Sequence, residues 1–590
     1  MIKHYLQLWS HLAPLHRVGA IGLTVGNMVA SVLEVVGLAL FGAVLLHMTQ
    51  GGAVAGGPGL AAAVRLPVDL DLPRLAALCG LAYLAKNVLM FALAWIEARL
   101  AFGVQTHLST HALDAMLRQD YEVASVRDQS AKVNLLTGGM YALAFNVLLP
   151  ALTLVAETTL MVTLVVFLVL TQPPFVSGML AALCVVAGAL VLVSRRLVLK
   201  LGASRHRFED ERLQLLSGIF GHLREMYVYS ARARAVAHLQ SLLTRLAATY
   251  RGFQMLQSSP RFVLEVALVG VLLMVVFQQA RAGLDPTLVV SIGVFGVAGF
   301  RLLLGINRVV ACVQAMRFAG PMIDKVVQAL DSPPAQAPGR RGLRGAPDGE
   351  LRLSRVAYAY GTDKPVLGGV DFVLPRRRLV AIKGRSGAGK STLLEIMAGL
   401  RAPCEGWVEL DGQRIAHKQE LVGRIAYAGQ QPAVFPDTIR ANVAFGVARE
   451  AIDDEAVWRA LARAHLDEVV RELPGQLDFF LGSQRGLSGG QVQRLALARA
   501  LYLDCDYLLL DEPTAALDGE TEQQLLATLK ELAATTGVLV VSHRPAPIQA
   551  ADVVWELANG SLTALGSQAL ALQELSLAEE GDAGPDTAKP

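Results

Sequence analysis

The chain has 590 residues, 53% of them hydrophobic and only 17% charged, with a formal net charge of +3. That length exceeds one ordinary domain, and the apolar excess places part of the chain in lipid. The five cysteines stand far apart with no C-x-x-C pair, and no stripe of Lys and Arg with interleaved aromatics is present, so neither a disulfide framework, a zinc site nor nucleic acid as a partner is expected.

A bilayer core of ~30 Å asks for ~20 apolar residues per helix. The N-terminal half supplies six such stretches, near 18–47, 75–101, 142–170, 175–199, 259–281 and 285–313. The first is too long for a signal-peptide core and runs into the glycine-rich "GGAVAGGPG", which predicts a retained membrane helix. Basic residues crowd the segment between the fourth and fifth stretches, from Arg195 to Arg251, whereas "TQPP" has none and "QQARAGLDP" only Arg281. Both termini are therefore expected on the cytoplasmic side. The long cytoplasmic connections predict helical stalks, with short helices near 118–131 and 217–232.

The sixth stretch contains "VSIGVFGVAGFRLLLGINRVV", with Arg301 deep inside it. It follows the turn at Asp285 and Pro286 by about 15 residues, hence ~22 Å along a helix, and facing lipid there would cost at least ~2.5 kcal/mol. Arg301 must meet either a wet cavity holding an anion or a carboxylate, and Glu265, Glu157 and Glu34 are the candidates.

From 331 the composition turns to "DSPPAQAPGRRGLRGAPDGE", a linker over 331–350. The expected organisation is a helical membrane domain over 1–330, a soluble domain over 351–570 and a disordered tail over 571–590. Short apolar runs such as "RLVAIK", "YLLL" and "GVLVVS" alternate with helix-like segments in the soluble part, predicting an α/β fold with a largely parallel sheet.

Its chemistry begins at "GRSGAGKS", Gly384 to Ser391, between a strand-like and a helix-like segment. Such a loop closes backbone N–H groups around a phosphate chain, Lys390 reaches the terminal phosphates, and Ser391 offers its hydroxyl to Mg²⁺. In "YLLLDE" an apolar strand delivers Asp511 to the metal and Glu512 to the attacking water.

With "LSGGQ" at Leu487 to Gln491 the sequence resembles ATP-binding cassette (ABC) transporters. The resemblance implies a membrane α-helical domain of six helices followed by an α/β P-loop NTPase cassette, with ATP and Mg²⁺ as cofactors. Nucleotide contacts fall on Tyr360, which stacks on adenine, on Gly384, Arg385, Ser386, Gly387, Ala388, Gly389, Lys390, Ser391 and Thr392, and on Gln430. Ser488, Gly489, Gly490, Gln491 and Asp518 complete the set. Glu512, His543 and Lys390 are implied as catalytic, and Ser391, Gln430 and Asp511 as metal-binding.

Because the signature of one subunit closes over ATP held by another, the likeness implies a half-transporter that dimerises with a second copy or with a different chain. Six helices ahead of the cassette are similar to the exporter arrangement of a bacterial inner membrane. The membrane half, in "LRQDY", "SSPRFVLEV" and "FRLLLGINRVV", is similar to flippases of lipid-linked oligosaccharides and to polysaccharide and antimicrobial-peptide exporters. By that likeness Arg99, Arg261 and Arg301 face an amphipathic, anionic lipid-linked substrate. A peptide, drug or thiol/haem exporter and a non-transport ATPase are the alternatives.

Overall fold

The computed structural model describes residues 9–50, 72–126, 129–171, 174–282, 286–330, 349–361, 365–415, 418–430, 432–482 and 486–566. Most of the expected linker and all of the expected tail lie outside them. The chain forms two compact units, Met1–Gln119 with Val123–Pro334 and Asp120–Glu122 with Ala335–Pro590.

The first unit is helical, because a long apolar run satisfies its backbone donors and acceptors only within its own helix when water is absent. Its elements begin with α1 (Pro14–Gln50) and α2 (Leu72–Leu117), followed by the short α3 (Tyr121–Val126), which belongs to this unit from Val123 onward. The next, α4, comprises Gln129–Asn134, Met140–Leu143 and Leu149–Thr171, joined by π-helical turns at Leu135–Gly139 and Ala144–Leu148. Then come α5 (Pro174–Gly221), the short α6 (Leu223–Val228), α7 (Arg232–Ala282) and α8 (Pro286–Leu330). Among the described residues, Pro14–Val44, Leu72–Leu117, Gln129–Val169 and Gly296–Leu330 are long and apolar enough to cross a membrane.

Helix α1 packs against α2 and α4, α8 against α1, α4 and α5, and α7 against α5. One core joins Leu23, Leu100, Val104, Met140 and Val326; a second joins Leu38, Leu164, Leu264, Leu302 and Ile306.

The second unit holds two sheets. The strands are β1 (Glu350–Tyr358), β2 (Leu367–Pro375), β3 (Leu379–Lys383), β4 (Glu405–Leu410), β5 (Gln413–Arg414), β6 (Ile425–Ala428), β7 (Tyr507–Asp511), β8 (Gly537–Val541), β9 (Val553–Ala558) and β10 (Ser561–Leu565). Six of them run β10-β9-β3-β8-β7-β6, parallel except for β10, as the alternating pattern predicts. The others form an antiparallel sheet, β2-β1-β4-β5, beyond what the sequence reading anticipated. Its apolar residues, Leu351, Leu353 and Phe372, join Val380, Ile382 and Trp555 of the larger sheet in one core. Each such side chain contributes roughly 1.5–3 kcal/mol by its burial.

Helices of this unit include α9 (Lys390–Met397), α10 (Asp454–Arg463), α11 (Gly489–Tyr502) and α12 (Gly519–Leu532), of which α9, α11 and α12 carry or follow directly on site residues.

Candidate functional site

Strand β3 is buried along Leu379–Ile382 and ends in the loop that opens α9. Two loop glycines are dictated by space. A Cβ on Gly384 would lie 2.5 Å from the Leu557 carbonyl oxygen, and one on Gly389, at φ +99°, would lie 2.8 Å from Val366 Cγ1. The chain therefore bends tightly there, as only glycine permits. The Lys390 ammonium is folded back into the loop, donating to the carbonyls of Gly384 and Arg385 at 2.9 Å each.

Strand β7 ends at Asp511, whose Oδ2 accepts from Ser391 Oγ at 2.7 Å. Burial pushes the Asp511 carboxyl above its ordinary range, opposed by the Ser391 hydroxyl and reinforced by the neighbouring Glu512 charge. These hard oxygen donors suit Mg²⁺. Glu512 adopts a left-handed φ of 51°, a strained conformation for a side chain of this size. Its backbone N–H donates to Val541 O at 2.9 Å, while its carboxylate lies between Gln430 Nε2 and His543 Nδ1, each at 3.0 Å. A carboxylate held this way is oriented toward one proton.

Tyr360 is 44% exposed; its hydroxyl meets Thr392 Oγ1 at 3.0 Å, and the Arg401 guanidinium lies 4.9 Å from its ring centre. Ser488 caps α11, accepting from Gln491 N at 3.3 Å, while Gln491 Oε1 accepts from Ser488 N at 2.7 Å. Asp518 caps α12 through Thr521 N and Thr521 Oγ1 at 2.9 and 3.0 Å, and those bonds hold its carboxyl below the usual range. The phosphate loop, Asp511, Glu512, Gln430 and His543 thus converge, whereas Ser488, Gln491 and Asp518 make these bonds within their own helix ends.

Sequence reasoning missed Arg401, Gln493 and Arg544. Arg544 Nη1 donates to Thr514 O at 2.6 Å and to Glu522 Oε1 at 2.9 Å. Gln493 spans 2.6 Å to Glu512 O. Their proximity to named motifs was the available signal, but nothing in residue type revealed the direction of each side chain.

In the helical unit Arg301 is answered by carboxylates. Its Nε donates to Glu34 Oε1 at 3.1 Å, and its Nη1 lies 3.9 Å from Glu157 Oε2. Lys86 Nζ sits 2.6 Å from Glu34 Oε2, and Arg308 Nη1 2.6 Å from Glu157 Oε1. Three cations and two carboxylates from α1, α2, α4 and α8 form one network, with Arg308 its exposed end at 54% of its side-chain surface. The third candidate partner, Glu265, is exposed on α7. Arg261 is likewise exposed on α7, and Arg99, exposed on α2, lies 5.8 Å from the Trp95 ring. Neither joins the network, so the three arginines named from the sequence are not gathered around one carboxylate pair. Lys86 and Arg308 escaped notice, although Arg308 follows Arg301 by seven residues, two helical turns on the same face.

A helical unit with membrane-length apolar spans and an α/β unit with a complete phosphate loop define an ATP-hydrolysing membrane transporter. The family model described as ABC transporter matches residues 367–515. Two similar relatives are both named ATP-dependent lipid A-core flippase. The one from Ralstonia nicotianae is 31% identical over 430 residues, 70% of this chain and 71% of the relative. The one from Cupriavidus metallidurans is 29% identical over 510 residues, 84% of each chain. Among solved structures, a bacterial Atm1-family ABC exporter with ATP bound superposes with a TM-score of 0.77 at 21% identity, covering 97% of this chain and 99% of that one. The chain belongs to the ABC transporter family, with the exporter-type fold of a half-transporter, and couples ATP hydrolysis to transport.

Proposed function

We propose that this chain moves an amphipathic, anionic lipid across the bacterial inner membrane, a lipid-linked oligosaccharide or another anionic glycolipid. The observation that carries the reading is the charge network of the helical unit. Two carboxylates answer three cations, and Arg308 keeps half its side chain open. A surplus positive charge at membrane depth is costly unless an anion or water meets it, and a guanidinium grips phosphate oxygens with two donors at once. Arg301 and Arg308 receive the headgroup in this reading, Arg261 and Arg99 flank its path, and the name shared by the relatives points to the same class of cargo.

The working unit is a homodimer, with residues 1–330 as membrane domain, 331–350 as linker, 351–570 as cytoplasmic cassette and 571–590 as tail. Lys390 and the N–H groups of the loop bind the phosphates, Tyr360 stacks on adenine, and Ser488, Gly489, Gly490, Gln491 and Asp518 act across the dimer. Ser391, Asp511 and Gln430 hold Mg²⁺, which neutralises phosphate charge when bound. Glu512 accepts the proton of the attacking water, and His543 keeps the carboxylate aimed.

The test is reconstitution in liposomes containing an anionic lipid-linked sugar, a neutral glycolipid or no added lipid. Stimulated ATP hydrolysis and headgroup translocation with the anionic lipid alone are expected. Equal responses to the neutral lipid would sink the anionic reading.

A further inference from the structure

We infer that Gln493, on the signature helix α11, is a positioning residue for Glu512. The inference rests on reading Glu512 as the general base and Ser488–Gln491 as acting on a second copy. Gln493 is only 8% exposed. Its Nε2 donates to the Glu512 carbonyl at 2.6 Å, and its Oε1 accepts from the Ala516 N–H at 3.2 Å. One amide therefore fastens both ends of the turn "EPTAA" that follows β7.

That turn needs fastening. Glu512 sits at φ 51°, a conformation that persists in a non-glycine residue only where its surroundings over-determine it. Among the described residues the Glu512 carbonyl otherwise receives only the Ala515 N–H, at 3.2 Å. Removing the amide of Gln493 takes this acceptor from the Ala516 N–H and lets the strained peptide relax, swinging the carboxylate away from Gln430 and His543. The signature helix is pressed close to the turn elsewhere too: a Cβ on Gly490 would lie 2.9 Å from Ala516 O. The helix whose N-terminus serves the partner's nucleotide thus also carries the prop for this chain's own Glu512.

The experiment uses the full-length protein in nanodiscs. Gln493→Met removes both bonds at similar volume, and Gln493→Glu keeps the acceptor for Ala516 while losing the donor to Glu512. Both are expected to lower kcat for ATP at least tenfold, with KM for ATP and nucleotide binding within threefold of wild type, because the phosphate loop is untouched. A merely structural role predicts a lowered melting temperature with normal kcat well below it; that outcome, or kcat and KM failing together, would overturn the inference. Mixed dimers supply a second readout, with Lys390→Ala silencing one site. Gln493→Met should slow the live site when it shares a chain with the live Glu512, and spare it when carried by the silenced chain. Equal slowing in both would also overturn it. Should Gln493→Met not fold, Gln493→Glu carries both arms. Glu512→Gln and Ser488→Arg run as controls: activity surviving in those would instead show that the underlying role assignments had failed.

Discussion

At the scale of single residues the proposed roles separate binding from chemistry. Lys390 is held by the carbonyls of its own loop, whereas Glu512 stands beyond β7 between Gln430 and His543. Lys390→Ala is expected to weaken ATP binding at least tenfold, as measured by fluorescent nucleotide titration. Glu512→Gln should bind ATP normally and lose about 10²–10⁴ in steady-state hydrolysis; near-normal turnover would refute the assignment. Asp511 offers a test of opposite sign on stability. Burial raises its pKa in the folded chain, so its contribution to stability is greatest below the unfolded carboxyl pKa and is lost as pH rises through the folded value. At neutral pH without Mg²⁺ its charge is a net cost. Asp511→Asn should therefore raise the melting temperature of the metal-free protein by about 2–4 °C per kcal/mol recovered, narrow the gain near pH 4, and abolish hydrolysis. A lowered melting temperature at pH 7 would contradict this account.

At the scale of elements the helix ends matter most. Ser488 and Gln491 form a capping box on α11, satisfying two backbone donors reciprocally. Ser488→Ala should cost about 1 kcal/mol of cassette stability through the lost cap, seen as a small shift in urea midpoint. Ser488→Arg adds bulk and charge where a partner's nucleotide is proposed to lie, so hydrolysis should vanish although residue 488 is far in sequence from Lys390. Mixing Ser488→Arg with Lys390→Ala chains should restore at most one composite site per dimer. Substantial hydrolysis by verified monomers would rule out composite sites.

At the scale of the whole molecule, transport requires that the membrane helices respond to cargo, and the charge network touches four of them. Glu34 is shared between Lys86 and Arg301. Glu34→Gln should leave Lys86 without this counter-charge and Arg301 with Glu157 at 3.9 Å, lowering stability by less than the about 3–5 kcal/mol that breaking a fully buried pair costs. Thermal unfolding in nanodiscs measures it, and an unchanged melting temperature would show the network to be dispensable. Replacing Arg301 and Arg261 together with Gln separates roles further. A stable double variant that still flips an anionic lipid at the wild-type rate would remove the headgroup assignment, whereas lost flipping with retained basal hydrolysis supports it.

The apolar runs, the proline- and glycine-rich break at 331, the phosphate loop and "LSGGQ" are local patterns, and local patterns suffice to place helices, strands and a nucleotide site. Alternating apolar segments were enough for the parallel sheet, because a strand covered on both faces must be apolar throughout. They did not reveal the antiparallel sheet of β1, β2, β4 and β5, since pairing partners are far apart in sequence and short strands look alike. The charge at Arg301 was legible as a problem, and its answer was not. Three glutamates could have met it, and only the packing of α1, α2, α4 and α8 selected Glu34 and Glu157 and added Lys86 and Arg308. Likewise Gln493 reads as an ordinary helix residue until α11 lies against the turn after β7. Sequence by itself determined which chemistries are present, because those depend on residue type and short spacing. Tertiary structure decided which groups meet, because the direction of a side chain and the distance between remote segments are set by packing alone.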